Sequence, residues 1–272
     1  MDPITDEDRH KIWARLPDLN IGHRYLTTVS RQAKNLIHLS QVRAWPNFCN
    51  DVRRYTSRSD VLGQFPPVGG VQVAYRRESY PVGNEAGVTG RWVSNIAMNV
   101  NAVAEKLLLP KFADYQLGNN GPRGCSVDDS PGIILLKGGS RTVLVGEFKT
   151  PWTTDLSVRT TNDEKIARLW GQITNYMDSC RCRYAIMSTY MQTVCIRRTG
   201  DYSFEVSPVI HHNIQSLPVI SSQSPTISVR EALLYMAYLA GDGEGDSAFS
   251  KVVGNLYRPV LAPKQGLFDH IS

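Results

Sequence analysis

Residues 143–152 read VLVGEFKTPW, an apolar run that ends in a charged Glu-x-Lys. In a strand, side chains two residues apart share a face, so Glu147 and Lys149 bring a carboxylate and an ammonium group together at the end of a buried segment. By itself such a pair also suits an ordinary ion pair on an edge strand. A second apolar run, Ile133-Ile134-Leu135-Leu136, precedes it, with Lys137-Gly138-Gly139-Ser140 between the two. A glycine pair between apolar runs predicts a tight hairpin, and a turn centred there pairs residues whose numbers sum to about 277 or 278. Lys149 then lies opposite Asp128 or Asp129. That register puts a second carboxylate beside Glu147, a pocket suited to a hard divalent cation that takes oxygen ligands and keeps water. The Asp pair also suits a turn or cap before the strand.

Two further groups can reach such a pocket. Arg168, Gln172 and Tyr176 stand at successive i, i+4 spacing and line one helical face, beside an apolar stripe of Ile166, Leu169, Trp170, Ile173 and Met177. A half-exposed face with a packed Tyr and a solvated Gln would show the same spacing. Glu105 falls on the rim of an earlier amphipathic stretch. Arg141, Arg159, Arg168, Arg181, Arg183, Arg197 and Arg198 are placed to contact phosphates without reading bases.

The elements that would position these residues follow from periodicity. Apolar residues from Trp92 to Leu108 recur at helical spacing up to Pro110, which favours a stop. The hairpin comes next, then a helix that Asn162 can cap and that ends near Cys180. YAIMST at 184–189 and TVCIR at 193–197 are two more strands, and Ser228 caps a helix over 229–240 stopped by Gly241. The order helix, strand, strand, helix, strand, strand predicts an α/β domain on a mixed sheet over 91–272. Residues 1–90 show short periodic stretches broken by Pro and Gly, and read as a partly helical N-terminal extension.

Composition sets the outer limits. With 272 residues, 42% of them hydrophobic, the chain can bury a core. No run of about 18 apolar residues is present, so no membrane span is expected, and the charged N-terminus MDPITDEDRHK does not read as a signal peptide. Thirty Lys and Arg against 25 Asp and Glu leave a net charge of +5, compatible with nucleic acid as partner without requiring it. Five cysteines (49, 125, 180, 182, 195) lack paired CxxC spacing and read as reduced thiols, hence an intracellular protein of nucleus or cytosol. Residues 241–246, GDGEGD, fail as a calcium loop because Val253 occupies the twelfth position, where a bidentate Glu is needed. His211-His212 has no metal-ligand partner at suitable spacing. No G-x-S-x-G elbow, P-loop lysine or kinase signature is present.

Taken together, the hairpin Asp, Glu-x-Lys and the following Gln-x-x-x-Tyr helix resemble the PD-(D/E)xK nuclease superfamily, in its RecB-like and lambda-exonuclease-like branch. The resemblance covers about residues 92–198, and within it EFKTPW and YAIMSTYMQTVCIRR look most like nuclease-like domains of fungal proteins and Crinkler-type effectors. It implies a restriction-endonuclease-like core of αβββαβ type and a Mg2+- or Mn2+-dependent nuclease, on DNA more than RNA. Asp129, or Asp128, would match the metal aspartate, Glu147 the second metal carboxylate and Lys149 the lysine that orients the attacking water. Gln172 and Tyr176 would match the helix residues flanking the site, and Glu105 the acid supplied by the first helix. In the family pattern the Asp follows Pro directly, whereas here Pro131 is followed by Gly132, so a bulge would have to bring Asp129 into place. The alternative expectation is a catalytically inactive module of the same fold that binds nucleic acid or a protein partner, as an effector does.

Overall fold

The computed structural model describes residues 2–23, 41–63, 79–113, 131–157, 164–200, 203–217 and 225–241, with 164–168 as backbone only. The expectations that rest on Asp128, Asp129, Arg159, Asn162 and most of GDGEGD lie outside these residues, as does the Arg168 side chain. Among the described residues the chain forms an α/β protein on one mixed, open sheet of eight strands flanked by helices.

The hairpin is β3 (Ile133–Lys137) and β4 (Arg141–Phe148), and it turns through Gly138 (φ 60°) and Gly139 (φ 73°). Two successive positive φ values match the strand twist and cost glycine no Cβ clash, which is why this sequence reverses here. Next to the turn the register is the expected one, Lys137 opposite Arg141 and Leu136 opposite Thr142. An irregularity at Leu135/Leu136 then slips it by one, so that Ile133 faces Gly146. β2 (Lys111–Ala113) adds antiparallel to β3 as the edge on that side.

From β4 the chain crosses through α5 (Glu164–Ser179) to β5 (Tyr184–Ser188), which lies parallel to β4 with Glu147 opposite Met187. β6 (Gln192–Gly200) returns antiparallel to β5, β7 (Ser203–Val206) follows antiparallel to β6, and β8 (Ile210–His211) pairs with the start of β6. The far edge is β1 (Val42–Ala44), parallel to β7.

Strand alternation divides the core. Ile134, Val145, Ala185 and Met187 join Trp170, Ile173 and Met177 of α5 in one cluster. Ile133, Leu144, Phe148 and Ile186 belong to the other, with Trp92, Ile96 and Val100 and with α6 (Val229–Gly241). Trp92 comes from α3 (Glu85–Trp92), which runs through a π turn (Val93–Ala97) into α4 (Met98–Lys106). Arg230 of α6 donates from Nε to the Asn95 carbonyl at 2.7 Å, so a backbone oxygen of the wide turn finds its partner on another helix. Burial pushes the Arg230 guanidinium down to about 10.

The region before residue 91 contributes α1 (Asp6–Trp13), α2 (Phe48–Thr56) and β1. Trp13, Phe48 and Val52 lie in the same cluster as Trp92 and Leu233. Cys49, Cys182 and Cys195 are free thiols, but Cys180 at the end of α5 is disulfide-bonded, which corrects the expectation of five reduced cysteines. Among the described residues no helix is long and apolar enough to cross a membrane.

Candidate functional site

β4 carries Glu147 as its penultimate residue, on the face covered by α5, and the chain continues the same alternation to Lys149. The backbone there is held by β5, since Lys149 N–H donates to the Ser188 carbonyl at 3.0 Å. Both charged residues are almost enclosed, Glu147 with 5% and Lys149 with 6% of its surface exposed. Lys149 Nζ donates to Glu147 Oε1 at 2.5 Å. Gln172, on the inner face of α5, donates from Nε2 to the same oxygen at 2.7 Å and to the Tyr176 hydroxyl at 2.9 Å. The i, i+4 spacing of Gln172 and Tyr176 makes that last contact possible. Glu147, Lys149, Gln172 and Tyr176 are thus one hydrogen-bonded cluster.

Its electrostatics are unusual for a structural pair. Burial pushes the Glu147 carboxyl above its ordinary range, more than the Lys149 charge and hydrogen bond and the Gln172 amide pull it down, and the Glu85 charge adds to the rise. A buried ion pair stabilises a fold weakly at best, because desolvation offsets the attraction. Two donors converge on Oε1, and Oε2 takes no hydrogen bond among the described residues. A carboxylate oriented through one oxygen and open at the other is the arrangement of a ligand for a cation.

Glu85 is the acid that the spacing argument missed. It stands in the first turn of α3, whose cap Asn84 accepts from Gly87 N–H at 2.8 Å, and it is half-buried near enough to Glu147 to shift it. The signal was present as Asn-Glu at a helix start, where a cap and a carboxylate are both favoured. Starting the helix at Trp92 instead of Glu85 hid it. Glu105 lies elsewhere: it is exposed and 3.5 Å from Lys111, at the end of the β3–β4 hairpin that holds Leu136 and Thr142, whereas Glu147 lies at the other end. Asp128 and Asp129 precede Ile133 and fall outside the described residues.

Gly132 has a specific steric role. A Cβ there would sit 2.8 Å from Cδ2 of the Phe148 ring, so the position immediately after Pro131 accepts no larger side chain without displacing Phe148. Several arginines expected to meet phosphate have internal partners. Arg197 pairs with Glu205 and lies 4.3 Å over the Trp45 ring, and Arg198 is buried 3.5 Å from Asp178. His212 bridges the Met191 carbonyl and Asp18, a packing role.

Among the described residues no three His, Cys, Asp or Glu side chains converge on a point. A single buried carboxylate such as Glu147 still suits a hard cation that keeps most of its water, since such ions are commonly held by one or two carboxylates together with substrate phosphate. No family model, curated protein or solved structure matches the chain.

Proposed function

We propose that the protein is a metal-dependent nuclease that hydrolyses phosphodiester bonds, in DNA rather than RNA, on a restriction-endonuclease-like core. The observation that carries this reading is the buried Glu147, held through Oε1 by Lys149 and Gln172, with no hydrogen bond to Oε2 among the described residues. The run α4, β2, β3, β4, α5, β5 supports it, because it follows the αβββαβ order of that core. Glu147 and Glu85 would hold Mg2+ or Mn2+, with Asp128 or Asp129 as a further ligand. Such an ion, when bound, lowers the pKa of a bound water and relieves charge on the phosphate.

The chain's own groups do the rest. Lys149 places positive charge beside Glu147, where an anion develops during attack on phosphorus, in surroundings drier than bulk water. Gln172 fixes the carboxylate plane, and Tyr176 fixes Gln172. Enclosure of the cluster keeps these dipoles oriented before the reaction begins.

One observation favours a second reading, a catalytically inactive module of this fold that binds nucleic acid or a protein partner. The crowding of Gly132 against Phe148 leaves no room for an aspartate directly after Pro131. Incubation of the purified protein with linear and circular DNA and Mg2+, beside Lys149→Ala and Glu147→Gln, separates the two. Cutting by the wild type that falls at least about a hundredfold in both variants supports the nuclease. Equal residual cutting in all three preparations supports the binding module.

A further inference from the structure

We propose that Tyr190 is a positioning residue for Lys149, holding the turn between β5 and β6 in the arrangement that fixes the lysine's backbone; this rests on the nuclease reading above. Tyr190 has φ 69°, in the left-handed region that is costly for an L side chain, and the residue is fully buried. Glycine or asparagine would make the same turn with less strain. A bulky residue keeps such a conformation only where its surroundings over-determine it, and strain of this kind gathers at functional sites.

Tyr190 is bound through both its backbone and its hydroxyl. Its N–H donates to Ser188 Oγ at 3.0 Å, and Ser188 Oγ lies 2.8 Å from Thr193 Oγ1. The Tyr190 hydroxyl donates to the Pro17 carbonyl at 3.0 Å and accepts from Asn95 Nδ2 at 3.1 Å. Asn95 belongs to the π turn, an irregularity that is itself frequent at functional sites, and its carbonyl is the one that Arg230 holds. Two unusual backbone features, far apart in sequence, therefore meet at one phenol oxygen. A turn that served only to reverse the chain would need neither.

What the turn holds is the segment that carries Lys149. The ladder between β4 and β5 ends with Phe148 opposite Ser188, and beyond it Lys149 N–H donates to the Ser188 carbonyl. Further along, Leu156 N–H donates to Gln192 Oε1 at 2.7 Å, and Gln192 Nε2 donates to Asp155 at 2.9 Å. The chain from 149 to 156 is thus pinned at both ends to residues that flank Tyr190. A tilt of the turn carries the Lys149 backbone with it, and so shifts the ammonium group against Glu147. Misplacing a reacting group by about 1 Å can cost about a hundredfold in rate, so the fixity of this turn bears directly on the chemistry.

The test is Tyr190→Phe, which keeps the ring and the backbone and removes only the hydroxyl, beside Asn95→Ala, which removes one of the hydroxyl's two partners. Amide hydrogen exchange, read residue by residue by NMR without divalent cations, reports the positioning with no need for activity. The Lys149 and Leu156 amides should exchange about tenfold faster in Tyr190→Phe, and in the same direction by less in Asn95→Ala, while the Ile186 amide in the middle of β5 stays as in the wild type. DNA cutting in Mg2+ should lose about tenfold in kcat with KM unchanged, since the lysine acts at the reacting phosphate and not along the rest of the strand. Unchanged exchange at Lys149 overturns the proposal, and so does an equal acceleration at Ile186, which would mean a general loosening of the sheet. A fall in cutting expressed wholly in KM overturns it as well. Wild-type protein that cuts no DNA overturns the nuclease reading, and exchange at Lys149 then decides this inference alone.

Discussion

Glu147 has two oxygens in different circumstances, and a testable pH dependence follows from that difference. Its carboxyl is pushed above the ordinary 4.5 by burial, against the pull of Lys149 and Gln172. A cation at Oε2 must displace the proton that burial favours, so cation affinity should be weakest at low pH and rise as pH passes the elevated pKa, by up to about tenfold per unit below it. Isothermal titration with Mn2+ across pH measures this. Gln172→Ala removes a donor that favours the ionised form, and should move the midpoint to higher pH without abolishing binding. An affinity flat with pH, or a midpoint moved downward by Gln172→Ala, would remove Glu147 from the ligand set.

Helix α3 sets where Glu85 stands, and its start depends on one side chain. Asn84 Oδ1 accepts from Gly87 N–H in the first turn, where the helix would otherwise leave that donor to water. Asn84→Ala should cost about 1 kcal/mol in urea denaturation, while Asn84→Asp or Asn84→Ser should retain most of it. The same variant should weaken Mn2+ binding if Glu85 helps to hold the ion, because fraying releases the first turn. Cap loss without any change in binding would leave Glu85 outside the site. The elements differ in how legibly they were written. β3, β4, β5, β6, α5 and α6 were readable because each spans at least five residues, enough to show an apolar run or a period. β1, β2, β7 and β8 were not, since two to four residues hold too little pattern to show a period, and pairing with a neighbour defines them. The π turn was invisible for another reason: the partner of its Asn95 carbonyl is Arg230, 135 residues away. At the site, Glu147, Lys149, Gln172 and Tyr176 could be read because spacing within one element fixes a shared face. Glu85 could not, because nothing local tells an acid in a first turn that it will face a strand more than 60 residues later.

At the scale of the molecule, the N-terminal and C-terminal parts are joined by charge buried in the core. Glu231 of α6 is fully enclosed and accepts from Thr56 Oγ1 at 2.6 Å and from Ser216 Oγ at 2.5 Å, while Arg53 of α2 approaches it at 3.3 Å and donates to the Thr226 carbonyl at 2.7 Å. Burial raises the Glu231 carboxyl from its ordinary 4.5, against the pull of Arg53 and the two hydroxyls. A raised carboxyl pKa means that the folded chain holds the proton more tightly than the unfolded one. The Glu231 contribution to stability is therefore complete below about pH 4.5 and is lost as pH rises through the folded value. Glu231→Gln keeps the shape without the charge, and should lack that loss, so its stability relative to wild type should improve as pH rises. Arg53→Met does the opposite. It leaves an ionised carboxylate buried without its cation, and should cost about 3 to 5 kcal/mol near neutral pH. That penalty should shrink toward low pH, where a protonated Glu231 needs no counterion. Guanidinium denaturation of the three proteins at several pH values decides the matter. Parallel stability profiles would mean that Glu231 keeps one protonation state throughout, and that hydroxyl hydrogen bonds rather than charge tie α2 to α6.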